Sequence, residues 1–118
     1  MKKFDIHSPN GTGLVGYLKC DFQSLLFAFG DHGGPSADGK VRAEWVIDTP
    51  VGCYTVYDYK ESTPVDELTV WHIGGHSEAV LGEVARQFIG EGVVTDRDGV
   101  VVAPASESVD LLVKKLGE

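Results

Sequence analysis

The segment Trp71-His72-Ile73-Gly74-Gly75-His76-Ser77 contains the residues best suited to bind a ligand. Imidazoles donate or accept hydrogen bonds and exchange protons near neutral pH. The pattern predicts a strand that runs into a glycine turn and then into a helix capped by Ser77. Backbone N–H groups at a helix start favour anions. We therefore predict that an anionic ligand is contacted here, by the residues Trp71, His72, Gly74, Gly75 and His76.

Strand geometry separates the two large side chains of this segment. Successive residues of a strand point to opposite faces of a sheet, so Trp71 and His72 cannot share a face. In one interpretation Trp71 belongs to the core, and His72 is exposed without a role. In the other, His72 or His76 lies beside the glycine turn as a hydrogen-bond donor or a general acid or base.

A second group of candidate residues lies on a predicted strand from Cys53 to Lys60. Tyr57 and Tyr59 share one face of it with Thr55. A row of tyrosines beside Lys60 can stack a base or sugar and neutralise a phosphate. It is equally typical of a protein interface or of cross-strand packing, and the sequence leaves all three open.

Arg42 is a further candidate for contact with an anionic ligand. It lies with Glu44 on the polar face of the preceding strand, whose other face carries Ala43 and Trp45. Alternatively, Arg42 and Glu44 simply pair at the surface, where an ion pair contributes little stability.

The periodicities predict an α+β fold, with an antiparallel sheet whose centre is a three-stranded meander and with helices packed on one face. The meander consists of strands within residues 41–48, 53–60 and 68–73. Asp21 starts a short helix with one apolar stripe, which Gly30 ends. A second helix runs from Ser77 to Gly90, and residues 4–8 are predicted as a short edge strand.

The length predicts one domain over residues 1–118, with a motif-bearing core at 11–90 and a C-terminal extension at 91–118. The extension contains a hairpin with an Asp-Gly turn at Asp98 and a short helix that starts at Ser108. The glycine-rich segment 31–40 is either a loop that contacts a ligand or partner, or a plain connection.

Composition limits the function classes. With 18 acidic and 10 basic residues the net charge is −8, so direct binding to a nucleic-acid backbone is not expected. No apolar stretch suggests a membrane span or a signal peptide, and we predict a cytoplasmic protein with no membrane partner. Cys20 and Cys53 form no C-x-x-C motif, no zinc signature is present, and we predict neither a metal nor a cofactor.

Several motifs together resemble a group of small proteins encoded by bacteriophages. The resemblance covers residues 11–90 and is carried, in chain order, by Leu14-Val15-Gly16-Tyr17, Phe29-Gly30, Glu44-Trp45, Val56-Tyr57-Asp58-Tyr59-Lys60 and Trp71-His72-Ile73-Gly74-Gly75. It implies an accessory protein that acts in the host cytoplasm against host defence. It implies no specific activity, and the extension after Gly90 departs from the pattern.

The sequence therefore favours a non-enzymatic binding protein that sequesters a small anionic ligand such as a nucleotide. One alternative is an acidic protein that inhibits a host protein or mimics nucleic acid. Another alternative is a small hydrolase that uses His72 or His76. The sequence contains no other recognisable catalytic motif. An edge strand also allows a homodimer or a higher oligomer.

Overall fold

The computed structural model describes residues 5–33 and 35–104, which form a five-stranded sheet and two α-helices. In chain order the elements are β1 (Gly13–Lys19), α1 (Phe22–Phe29), β2 (Glu44–Thr49), β3 (Gly52–Tyr57), a 3-10 turn (Val65–Glu67), β4 (Val70–Gly75), α2 (Val80–Gln87) and β5 (Val93–Asp96). The strand order is β2-β3-β4-β1-β5, and every neighbouring pair is antiparallel. The predicted α+β class is confirmed. The meander β2-β3-β4 is present, but it forms one side of the sheet and not its centre, because β1 and β5 both lie beyond β4.

Helix α1 begins and ends at the predicted residues. The Asp21 side chain accepts a hydrogen bond from the Ser24 backbone N–H at 2.8 Å, which satisfies a donor that has no partner within the helix. Gly30 ends the helix with a φ of +81° and donates to the Leu26 carbonyl. A helix of only two turns depends on packing for its stability, and Leu25 provides it by being fully buried.

The core lies between one face of the sheet and the two helices. Trp71, in the central strand β4, is fully buried. Phe22 of α1 stacks on it with ring centroids 6.0 Å apart, and Trp45 of β2 meets it edge-on at 5.6 Å. Phe29 of α1 contacts Phe88, which directly follows α2. Both helices therefore cover the same face, and we call the opposite face of the sheet the open face.

The prediction of a glycine turn at Gly74-Gly75 is wrong. Both glycines belong to β4, where Gly74 lies between Thr55 and Leu14 in the sheet register. Ser77 does not cap the helix, because α2 begins only at Val80 after Ala79. The anion-favouring strand-to-helix junction that the sequence predicted is therefore not formed by these residues.

Close packing explains why glycines occupy these strand positions. A Cβ atom on Gly74 would lie 2.5 Å from Thr55 Oγ1, and one on Gly16 would lie 2.1 Å from the Thr95 carbonyl oxygen. Real side chains do not approach so closely, so both positions require glycine. The cause lies in neighbouring strands, and a local turn signal cannot reveal it.

A bulge in β1 changes which side chains face the open face. The register with β4 shifts between Leu14 and Gly16, so that Val15 is an extra residue. In a regular strand Leu14 and Tyr17 would point to opposite faces because they are three residues apart. The bulge brings both to the open face.

The two ends of the described chain differ in how well they match the predictions. Residues 5–8 form turns and not the predicted edge strand. The predicted hairpin after Gly90 is present as β5, a turn after Asp96, and a short return that pairs Val101 with Thr95. The predicted helix from Ser108 lies outside the described residues.

The packing at Gly16 leads to a stability prediction. We expect Gly16→Ala to lower the free energy of unfolding by about 1–3 kcal/mol, because the added methyl group would displace the β5 backbone. Urea unfolding followed by tryptophan fluorescence measures it. Gly13→Ala is the matched control in the same strand, since a Cβ there meets nothing within 4 Å, and should change the value by less than about 0.5 kcal/mol. Equal effects of the two substitutions would contradict this packing.

Candidate functional site

A continuous row of side chains crosses the open face from β2 to β5. The sheet register places next to one another, in order, Glu44, Tyr57, His72, Tyr17 and Thr95. His72 lies at the centre of this row because β4 is the middle strand. The prediction that Trp71 and His72 face opposite sides of the sheet is confirmed.

Three tyrosine rings surround the His72 imidazole. Tyr57 stacks on it with centroids 5.4 Å apart and an interplanar angle of 22°. Tyr17 and Tyr59 contact it edge-on at 5.4 Å and 5.9 Å. His72 is therefore half-buried among rings on the open face and not exposed, as the first interpretation expected, whereas its role stays a prediction.

A cavity of about 550 Å³ opens beside this aromatic group. We call it the open-face cavity, and it is lined by Thr12, Leu14, Val41, Glu44, Thr55, Tyr57, Tyr59, His72 and Gly74. A second row on this face consists of Thr55, Gly74 and Leu14, which are neighbours in the sheet register. Because Gly74 has no side chain, it leaves a gap between Thr55 and Leu14. The missing side chain and the bulge that turns Leu14 toward this face thus shape the cavity.

His72 is held in its neutral form. Burial lowers its pKa below the ordinary value, although the carboxylates of Glu61 and Asp58 and the Tyr57 backbone act in the opposite direction. Its Nδ1 atom is buried, and no atom of the described residues lies in hydrogen-bonding geometry with it. At neutral pH the imidazole therefore contributes an uncharged ring to the cavity wall.

Arg42 pairs with Asp58 and not with Glu44. Its Nε atom lies 2.7 Å from Asp58 Oδ2, and its Nη2 atom donates to the Thr63 carbonyl at 2.6 Å. Asp58 Oδ1 also accepts from the backbone N–H groups of Arg42 and Ala43, at 2.8 Å and 3.0 Å. Arg42 serves here to hold a buried carboxylate through its Nε donor and the Thr63 carbonyl through its Nη2 donor.

Asp58 is fully buried and ionised. It fixes the backbone at the end of β3, next to Tyr57 and Tyr59. Burial acts to raise its pKa, but the hydrogen bonds from Ala43 and Arg42 and the guanidinium charge outweigh it and keep the pKa below the ordinary value. Asp58 lies between Tyr57 and Tyr59 in the chain. The network therefore anchors the backbone from which both rings reach the cavity.

Lys60 lies next to Tyr59, which lines the open-face cavity. Its Nζ atom is 5.4 Å from the centre of the Tyr59 ring, within the range of a cation–π contact. Its backbone has a φ of +53°, which is uncommon for a residue with a side chain. The Lys60 N–H donates to the Lys40 carbonyl at 2.8 Å and holds this turn in place.

Glu44 is the one residue with an ionisable carboxylate in the cavity lining. It is half-buried, and its carboxylate forms no ion pair or hydrogen bond with any of residues 5–33 and 35–104. Burial raises the pKa of the neighbouring Tyr57 hydroxyl, and the charge of Glu44 adds to this effect. Glu44 lies directly opposite Tyr57 in the register between β2 and β3, so the two side chains are neighbours on the open face.

A second and smaller hollow contains the remaining part of the predicted glycine and histidine segment. It measures about 300 Å³ and is lined by Gly75, His76 and Arg97 among others. His76 Nε2 hydrogen-bonds to the Ser8 carbonyl at 2.7 Å. His72 and His76 therefore belong to different places on the molecule.

The predicted ligand-contacting residues thus separate into several environments. Those that line the open-face cavity are Tyr57, Tyr59, His72 and Gly74. Lys60 is next to Tyr59, Arg42 is engaged with Asp58, and Trp71 is in the core. Contact of any of them with a ligand stays a prediction.

Sequence reasoning did not select five lining residues, namely Thr12, Leu14, Val41, Glu44 and Thr55. Alternation along β2 and β3 places Glu44 and Tyr57 on one face. A correct hairpin register would therefore have predicted that these two residues are neighbours. Leu14 reaches the cavity only because of the bulge at Val15, which has no clear signal in the sequence.

The described residues include no group of three or more His, Cys, Asp or Glu side chains placed to hold a metal ion. Cys20 and Cys53 are both buried and unbonded. Burial raises the pKa of the Cys20 thiol to about 12 and also raises that of Cys53, so neither is a ready nucleophile. None of the helices in the described ranges is long and apolar enough to cross a membrane.

Comparison with known protein families, curated proteins and solved structures finds no match for this chain. The geometry and chemistry of the open-face cavity are therefore the basis for inferring function.

The environment of His72 predicts its titration. Its pKa should lie below 6.5 because of burial, whereas that of His7 should lie above 6.5 because of its 2.6 Å hydrogen bond to Asp48. The pKa of His72 is lower in the folded protein than in the unfolded chain. The contribution of neutral His72 to the stability of the folded state is therefore fully present above pH 6.5. As the pH falls below 6.5, the unfolded chain takes up this proton first and the contribution is lost. An NMR pH titration of the imidazole signals measures both values, and a His72 pKa equal to or above that of His7 would contradict the assignment.

Proposed function

We propose that this protein is a non-enzymatic binding protein that holds a small nucleotide-type ligand in the open-face cavity. The observation that carries the proposal is the grouping of Tyr57, Tyr59 and His72 around one cavity on the uncovered side of the sheet. Tyr57 and His72 come from two strands that are adjacent in the sheet, and Tyr59 lies two residues after the end of β3.

The size and lining of the cavity support a small-molecule ligand. Ligand pockets have volumes of about 300–1,000 Å³, with mostly apolar and aromatic walls and a few polar groups. The open-face cavity, at about 550 Å³, combines apolar Leu14 and Val41 with three rings and the polar residues Thr12, Thr55 and Glu44. A planar base is a suitable partner for such walls.

Stacking supplies the affinity in this proposal. A base stacked on an aromatic side chain contributes about 1–3 kcal/mol. Lys60, beside the Tyr59 ring, provides a cation for the phosphate at the rim. The base would then lie in the cavity and the anionic group at its edge.

The histidine environments favour binding over catalysis. Within the described ranges, the His72 ring has no carboxylate hydrogen-bonded to it that would orient it as a general base. His76 is hydrogen-bonded to a backbone carbonyl in the other hollow. The two histidines are therefore poorly arranged for the hydrolase alternative.

The biological setting remains a prediction. A role of a phage accessory protein against host defence depends on the resemblance of residues 11–90 alone. The alternative of an acidic protein that inhibits a host protein or mimics nucleic acid depends on the net charge of −8.

Removal of the rim tyrosine tests the proposal. We expect at least one of the four common ribonucleoside 5′-monophosphates to bind, and Tyr59→Ala to weaken its binding by about 5- to 150-fold through loss of stacking. Isothermal titration calorimetry measures both. Tyr59 is 39% exposed, so the substitution should leave the fold intact, as circular dichroism can verify.

Phe27→Ala is the matched control, since Phe27 is an aromatic residue of α1 that is 88% exposed and lies outside the cavity lining. It should leave the affinity unchanged. Binding of none of the four nucleotides at millimolar concentration, or equal losses in the two variants, would refute the proposal.

A further inference from the structure

The charges around the open-face cavity point to the type of base that it accepts. Glu44 contributes the one ionisable carboxylate of the lining, and His72 contributes a neutral ring. Arg42, the cation nearest in sequence, is held by Asp58, and Lys60 lies over the outer ring Tyr59. The inner part of the cavity therefore offers a hydrogen-bond acceptor with a negative charge.

A ligand that covers this carboxylate must supply donors to it. A half-buried charge that loses water without gaining hydrogen bonds is strongly unfavourable. A carboxylate is an acceptor with two oxygen atoms and pairs best with two adjacent N–H donors. The preferred ligand is thus one whose ring edge carries two such donors side by side.

Among the common bases, guanine has this edge. Its ring N1–H and its exocyclic amine are adjacent and point in the same direction, so both carboxylate oxygens can accept. Adenine and cytosine place an acceptor nitrogen next to their amine, and that lone pair would face a carboxylate oxygen. Uracil has a single N–H between two carbonyl groups.

The position of Glu44 suits this recognition. It lies directly opposite Tyr57 in the register between β2 and β3, and Tyr57 stacks on His72. A base that stacks against the tyrosine rings therefore presents an edge toward β2, where the carboxylate lies. We propose that Glu44 selects ligands with a guanine-type donor edge, an inference that rests on the proposed binding function.

Two nucleotides that differ only in the exocyclic amine test this selection. Guanosine 5′-monophosphate and inosine 5′-monophosphate share the phosphate, the sugar and the ring N–H. Loss of one charge-assisted hydrogen bond predicts that the inosine nucleotide binds about 10- to 100-fold more weakly to the unmodified protein. Calorimetric titration of each nucleotide gives the ratio of dissociation constants.

The variant Glu44→Gln should remove most of this preference, because the amide offers one acceptor oxygen and places a donor against the ligand. Glu61→Gln is the control for charge, since Glu61 also acts electrostatically on His72 but does not line the cavity. It should keep the preference.

The outcomes distinguish failure of the guanine selection from failure of the proposed binding function. Equal binding of the two nucleotides, tighter binding of adenosine 5′-monophosphate, or an unchanged preference in Glu44→Gln would overturn the inference and leave the binding function standing. Failure of every mononucleotide to bind would overturn both. The comparison on the unmodified protein needs no variant, so the test does not depend on how Glu44→Gln folds.

Discussion

The core and the open-face cavity both follow from the alternation of side chains along β4. β4 is the middle strand of five, so it can send Trp71 to the helix-covered core only by sending His72 to the open face. No helix of the described chain covers that face, and His72 is instead packed by Tyr17, Tyr57 and Tyr59. The same alternation thus produces both the core and the aromatic wall of the cavity.

Charge pairing decides what remains available inside the cavity. Asp58 and Arg42 neutralise each other through a network that includes two backbone N–H groups, and this network anchors the strand end that bears the tyrosines. An ion pair with one fully buried partner, here Asp58, is costly to break but adds little net stability by itself. Its main consequence here is to leave Glu44 without a cation, so that the carboxylate is available to a ligand.

The sequence was informative where the cause of a structure is local. Asp21 and Gly30 delimit α1 as their capping chemistry predicts, and strand parity correctly separated Trp71 from His72. It was misleading where the cause is distant in the chain. Gly74 signals a turn locally, but it is required by Thr55 on the next strand. The cavity depends on the sheet register and on the bulge in β1, neither of which a single sequence specifies.

Amide chemical-shift mapping can show whether the open-face cavity is a ligand site. Isotopically labelled protein is titrated with guanosine 5′-monophosphate, and the shifted amide signals are located on the structure. We expect shifts concentrated at Leu14, Thr55, Tyr57 and Gly74, with α1 and α2 unaffected. Shifts centred on the hollow beside His76, shifts on the helices, or no shifts with any of the four ribonucleoside 5′-monophosphates at millimolar concentration would show that the cavity is not the binding site.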